Sequence, residues 1–188
     1  MGETVGTEVE RSFPGGFLRL PFRGRTWRRT LYAVVSPLVG LCLLVVALFG
    51  GHRAAARVRR RLAVRLLDAS PGRSVPTWPR VVGHALFGLP LDVLASVVAG
   101  YGWAVVVLNI AYPVRLLAEP DTASLTADAW GGPTLAGAWL VHGLAGLVAL
   151  WLVPLLVVGI TQVQLALASA LLWPPAEPVS PPRGAGTR

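Results

Sequence analysis

The sequence predicts an all-α, polytopic helical membrane protein, and three observations predict it. Val81 to Pro113 carries one formal charge, Asp92, in 33 residues, and Ala129 to Ala176 carries none. The chain as a whole is 54% hydrophobic and 14% charged, with a mean hydropathy of +0.60. Water does not keep such a composition folded and dispersed, whereas a bilayer does. The expected architecture is two clear spans plus a shortened first hairpin or single span, with interfacial helices.

The charges give the expected topology. All 17 basic residues are Arg; six precede Thr30 and eight lie between Gly51 and Val81, each group beside an apolar run. The positive-inside rule explains that placement better than a nucleic-acid surface does, and no nucleic-acid partner is expected. The loop 53–80 and the C-terminus are therefore read as cytoplasmic in a multi-pass cell-membrane protein. Val114–Gly137, with Glu119, Asp121 and Asp128 against Arg115 alone, is read as an outward excursion, so 115–137 is external. The lone Cys42 supports neither a disulfide framework nor a CxxC metal or redox site.

In chain order, residues 1–25 read as a disordered N-terminal tail, 26–172 as a membrane domain in two degenerate halves (26–68 and 77–172), and 173–188 as a disordered Pro-rich tail. Leu31 to His52 is uncharged for 22 residues, long enough for one span if Pro37 and Gly40 are tolerated. Arg flanks it on both sides, so a single crossing exports one basic cluster. A re-entrant or surface-lying hairpin with both ends cytoplasmic removes that conflict. Arg53–Asp68 then reads as an amphipathic basic helix: Val58, Leu62 and Leu66 form its apolar stripe, and Arg57, Arg59, Arg60, Arg61 and Arg65 face anionic lipid headgroups. Ser70–Pro76 is a linker.

At about 1.5 Å per residue, the central stretch from Val81 to Pro113 is about 50 Å long, more than a hydrocarbon core of about 30 Å requires. Pro90, which lacks a backbone donor, is the expected divider between a surface segment at Trp78–Leu89 and a span at Pro90–Ile110. Leu135–Ile160 is the returning span, Thr161, Gln162 and Gln164 mark its inner exit, and Gln162–Trp173 continues along the interface. Trp103, Trp130, Trp139 and Trp173 fall near the proposed span ends, as an aromatic belt requires; Trp151 does not. The small residues of AGYG and GLAG, around 98–102 and 143–146, read as close-packing helix faces.

Few side chains carry chemistry. His52, His84 and His142 lack metal spacing, and Ser36, Ser96 and Ser169 have no nucleophile context. No catalysis, cofactor or metal is expected. Asp92 stands apart, because an acid inside a span is costly unless paired or hydrated. Two residues after Pro90, it is the candidate functional residue, with Arg80 its nearest basic partner in the same segment and Arg28 or Arg29 as alternatives.

The pattern Trp-x-Arg, about eight apolar residues, then Pro occurs twice, as TWRRTLYAVVSP from Thr26 and TWPRVVGHALFGLP from Thr77. Together with GLPLDVLASVVAGYGWA and the WGGP turn at Trp130–Pro133, it resembles the sensor domain that precedes the kinase core in many two-component histidine kinases of high-GC bacteria, over roughly Thr26–Leu172. That domain normally has four spans, and the shortened first hairpin departs from it. No phosphoacceptor helix or Gly-rich ATP lid follows Leu172. The resemblance thus implies a stand-alone, non-catalytic sensory or regulatory module that passes a membrane signal to a separate partner, such as a membrane kinase. The alternative is a small transporter or channel subunit that conducts through a homo-oligomer around Asp92.

Overall fold

The computed structural model describes residues 18–72, 75–118 and 126–173, and it is helical throughout, with no strand among the described residues. A 3-10 turn at Leu20–Phe22 leads into α1 (Gly24–Val46). A kinked π-turn at Ala47–Gly51 follows, then α2 (His52–Leu67), α3 (Trp78–Ile110), α4 (Tyr112–Ala118) and α5 (Leu135–Leu171). Order begins earlier than the sequence suggested: Pro21 is buried, and the Thr26 hydroxyl donates to the Leu20 carbonyl at 2.7 Å. Of the proposed tails, 1–17 and 174–188 lie outside the described residues, as does 119–125 of the proposed outer loop.

The first half is a hairpin. Its turn rests on Gly50, whose φ of 88° is a left-handed conformation that glycine adopts without a Cβ clash. Beyond it α2 folds back along α1, so that Asp68, the left-handed C-cap of α2, accepts from Arg28 Nη2 at 3.0 Å and pairs with Arg25 at 3.3 Å. The two ends of the hairpin, at Arg25–Arg28 and Asp68, therefore meet, whereas Leu31 and His52 stand towards opposite ends of α1. The expected turn within Leu31–His52 is thus corrected: α1 runs unbroken to Val46, the chain turns only at Ala47–Gly51, and the second arm of the hairpin is the basic helix itself.

The second half is a longer hairpin, α3 with α4 against α5. Contacts between α3 and α5 are the most extensive in the molecule, followed by those between α1 and α3. Glycine permits the close approach of α3 and α5 in two places. A Cβ on Gly102 would sit 2.9 Å from Val153, and one on Gly146 would sit 3.0 Å from the Ile110 backbone nitrogen, whereas Gly100 and Gly143 face open space. Half of the expected small-residue faces thus serve packing.

α3 runs antiparallel to α1. Trp78 Nε1 donates to the Ala47 carbonyl at 3.0 Å, Ser96 to Val34 at 3.2 Å, and Trp103 Nε1 to Thr30 Oγ1 at 3.2 Å. Trp103 also stacks on Trp27, ring centroids 4.5 Å apart. The two hairpins thus pack with opposite sense, and the chain just after Asp68 turns back onto α2, where Arg60 donates to the Pro71 carbonyl at 3.2 Å.

Two expectations about helix ends are corrected. Pro90 does not divide its segment: Trp78–Ile110 is one 33-residue helix with Pro90 exposed on its outer side. Neighbouring helices let a membrane helix tolerate an internal proline, and Pro37 and Pro154 sit inside α1 and α5 in the same way. Nor does α5 break near Gln162. Its 37 residues are continuous, with Thr161 and Gln164 turned inward rather than marking an exit.

Three stretches are long and apolar enough to cross a membrane: the first hairpin, Gly24–Leu67, and the helices α3 and α5. Large apolar side chains cover their outer faces, including Leu38, Phe87, Tyr101, Leu108 and Val148. In water such a surface invites aggregation, whereas against acyl chains it is the expected finish. The sequence's reading of an integral membrane protein therefore agrees with its outer surface.

Candidate functional site

Where the hairpins cross, four helices converge on one carboxylate. Asp92 of α3 accepts from Arg59 Nη2 of α2 at 2.6 Å through Oδ1 and 2.7 Å through Oδ2. Gln164 Nε2 of α5 donates to Asp92 Oδ1 at 2.6 Å and to Ser36 Oγ of α1 at 3.2 Å. The side chains of Arg59 and Asp92 are 5% and 2% exposed, so the pair is sealed from its surroundings. Tyr32 of α1 places its ring 5.5 Å below the Arg59 guanidinium, adding a cation–π contact in the same low-dielectric pocket.

Each partner reaches the junction for a local reason. On α2, Ala55, Ala56 and Ala63 lie on the same side as Arg59, and these small side chains bring the helix close enough for the guanidinium to pass inward. On α1, Gly40 makes room for the acid, since a Cβ there would stand 2.9 Å from Asp92 Oδ2. On α5, Val157, Thr161, Gln164 and Ala168 form one buried seam at heptad-like spacing. Thr161 accepts from Arg29 Nη1 at 3.2 Å, so a second, largely buried Arg ties α1 to α5.

Three polar atoms of the junction have no protein partner among the described residues: Arg59 Nε and Nη1, and Gln164 Oε1. Beside them is a cavity of about 20 Å³ lined by Gly40, Ala55, Arg59, His84 and Asp92 among others. It has room for one water molecule beside Arg59 and Asp92, and the rest of its wall is apolar, from Leu43, Val81 and Leu172. His84 is buried at the edge of this cavity, its ring packed against Gly88.

Asp92 is thus paired, as its position in a span demands, but not by the expected residue. Arg80 shares α3 with Asp92, twelve residues or about 18 Å of helix away, and it is exposed. Arg28 is engaged by Asp68 and Arg29 by Thr161. The partner comes from the basic helix, whose assignment also changes. Arg57, Arg61 and Arg65 are exposed and Arg60 is partly so, but Arg59 points inward and is removed from the lipid-facing set. The packing stripe of α2 is Ala55, Ala56, Arg59, Ala63 and Leu67, and Val58 is left 40% exposed. Pro90, on the outer side of α3, does not shape the pocket around Asp92.

The sequence reading missed Arg59 as a partner, and with it Gln164 and Ser36. A signal for Arg59 was present in the four-residue spacing of Ala55, Arg59 and Ala63, which sets a small-residue face around one charge. At the far end of the second hairpin, His142 Nδ1 lies 2.9 Å from Asn109 Oδ1 and the ring stacks on Tyr112 at 3.7 Å, an interhelical contact rather than a ligand set. No group of three or more metal-ligating side chains occurs among the described residues. No family model, curated protein or solved structure matches this chain.

Proposed function

We propose that this chain is a non-catalytic sensory or regulatory module of the cell membrane, and that the Arg59–Asp92 pair is the latch through which its two hairpins hold a defined position. The observation that carries the proposal is the buried carboxylate that joins four helices at once. A buried pair of this kind is a poor source of net stability and a strong determinant of geometry, because breaking it costs about 3–5 kcal/mol while apolar replacements of similar volume are often neutral. A module that changes state by parting two hairpins needs such an all-or-none contact. The resemblance to kinase sensor domains supplies the partner, a separate membrane kinase or similar regulator.

Copurification from native membrane tests the proposal. The wild-type chain is expected to retain a partner that Asp92→Asn loses, while the variant still inserts. Recovery of a self-assembled ring with no second protein would favour transport instead. That second reading draws on the opposite sense of the two hairpins and a charge at their crossing, which are features of inverted-repeat transporters. The one-water size of the cavity at Asp92 weighs against it.

The same proposal puts Arg53–Arg80 and the C-terminus in the cytoplasm and Arg115–Gly137 outside. It sets Arg57, Arg61 and Arg65 against anionic headgroups, each near-surface charge contributing about 1 kcal/mol. With Cys42 replaced, an impermeant thiol reagent on intact cells is expected to label a cysteine at Asp128 and spare one at Val75. The reverse pattern contradicts the topology.

A further inference from the structure

At the end of the molecule where α2 begins and α5 finishes, Arg53, Ala56, Arg57 and Arg60 form one wall of an open cleft of about 630 Å³, and Val75, Pro76 and Trp173 complete it. Arg53, Arg57 and Arg60 follow one another at positions i, i+4 and i+7, which places three guanidiniums on one side of α2. Arg60 is oriented by its bond to the Pro71 carbonyl, and Arg57 Nε by its bond to the Arg53 carbonyl. Opposite them, the buried indole of Trp173 and the rings and methyls of Pro76 and Val75 are apolar.

No described acid neutralises this cluster. Asp68 is taken by Arg25 and Arg28, and Asp92 by Arg59. Asp128 precedes α5, whereas the cleft adjoins the other end of that helix, 37 residues or about 55 Å away. Three guanidiniums that no described acid compensates, facing an apolar wall, call for a ligand with several anionic oxygens at one end and hydrocarbon at the other, because Arg binds phosphate oxygens through paired donors. The hairpin turn just before Arg53 leaves Leu48 56% and Phe49 90% exposed, apolar surface suited to an acyl chain beside a headgroup site.

We infer that this cleft binds the phosphate-bearing headgroup of an anionic phospholipid, with Arg53, Arg57 and Arg60 on the phosphate and Trp173 against its apolar stem. The inference rests on the reading that the basic arm meets anionic lipid, and it narrows a diffuse attraction to one site.

The test is thermal stabilisation of the full-length protein in neutral detergent by short-chain phosphatidylglycerol, with short-chain phosphatidylcholine and inorganic phosphate as comparisons. Two triple variants carry the same loss of charge: Arg53→Gln/Arg57→Gln/Arg60→Gln in the cleft, and Arg61→Gln/Arg65→Gln/Arg80→Gln outside it. Phosphatidylglycerol is expected to raise the melting temperature of wild type and of the outside variant, and the cleft variant is expected to need at least tenfold more lipid for the same rise. Equal losses in both variants would overturn the site while leaving general attraction to anionic lipid intact, and no loss in either would overturn both. An equal rise with phosphatidylcholine, or with inorganic phosphate at the same concentration, would also overturn the inference, by showing that the phosphate-plus-stem chemistry is not what is read. Should the cleft variant fail to fold, the exposed single change Arg57→Gln gives the same readout, and an unchanged lipid requirement there counts against the site.

Discussion

Asp92→Leu is expected to lower the melting temperature of the purified protein by about 6–20 °C. The substitution leaves the Arg59 guanidinium buried with no counter-charge and leaves Gln164 Nε2 with Ser36 alone. Removing one member of a buried ion pair costs about 3–5 kcal/mol, and about 2–4 °C accompanies each kcal/mol in a chain of this size. Arg59→Leu is expected to cost about as much, because it strands the carboxylate instead. Asp92→Asn keeps the shape and one acceptor for Arg59, so its loss is expected to be smaller than that of Asp92→Leu. Melting curves in one detergent decide the order. A neutral or stabilising Asp92→Leu would mean that the acid reaches polar surroundings and needs no partner.

Gly40→Ala is expected to be the next most damaging small change, and its sign is informative. Alanine in a helix interior ordinarily gains about 0.5–1 kcal/mol over glycine. At Gly40 the new methyl would stand 2.9 Å from Asp92 Oδ2, so either the carboxylate or α1 must move. Overpacking of this kind costs about 1–3 kcal/mol, which exceeds the helix gain, and the carboxylate that must shift is the one Arg59 and Gln164 hold. Gly143→Ala, in open space on α5, is the control and is expected to be neutral or slightly stabilising. If the two variants melt alike, α1 does not press on the Asp92 pocket.

Much of the fold was legible because it rests on composition over long windows. The two long apolar helices and the helical class follow from runs that no other arrangement solvates. The first hairpin was legible only in part: the sequence placed its return within Leu31–His52, whereas α1 fills that stretch and the basic helix is the returning arm. What the sequence misreported were the boundaries within helices and the choice of face. Pro90 looked like a divider, because the local penalty of a proline is visible in sequence while the neighbours that absorb it are not. In α2 the sequence showed Val58, Leu62 and Leu66 as the apolar stripe of a lipid-lying helix, while it is a second face, mainly alanine around Arg59, that packs against the other helices. Close helix approach rewards small side chains, and apolar residues left over can face lipid at no cost.

The site was half legible for the same reason. An acid in a span must be partnered, which singled out Asp92 from sequence alone. The identity of the partner depended on which way α2 folds and which face it turns inward. Arg59 lies 33 positions before Asp92 and Gln164 lies 72 after it, so no local pattern joins them.

The central claim is that Arg59 and Asp92 act as one unit to dock the basic arm onto the second hairpin. The measurement that bears on it most directly is a double-mutant cycle by thermal melting of wild type, Arg59→Leu, Asp92→Leu and the double variant. The double variant is expected to recover most of the stability that each single change loses, because it leaves neither charge buried alone. Losses that simply add in the double variant would contradict the claim, since they would show that the two side chains do not depend on each other.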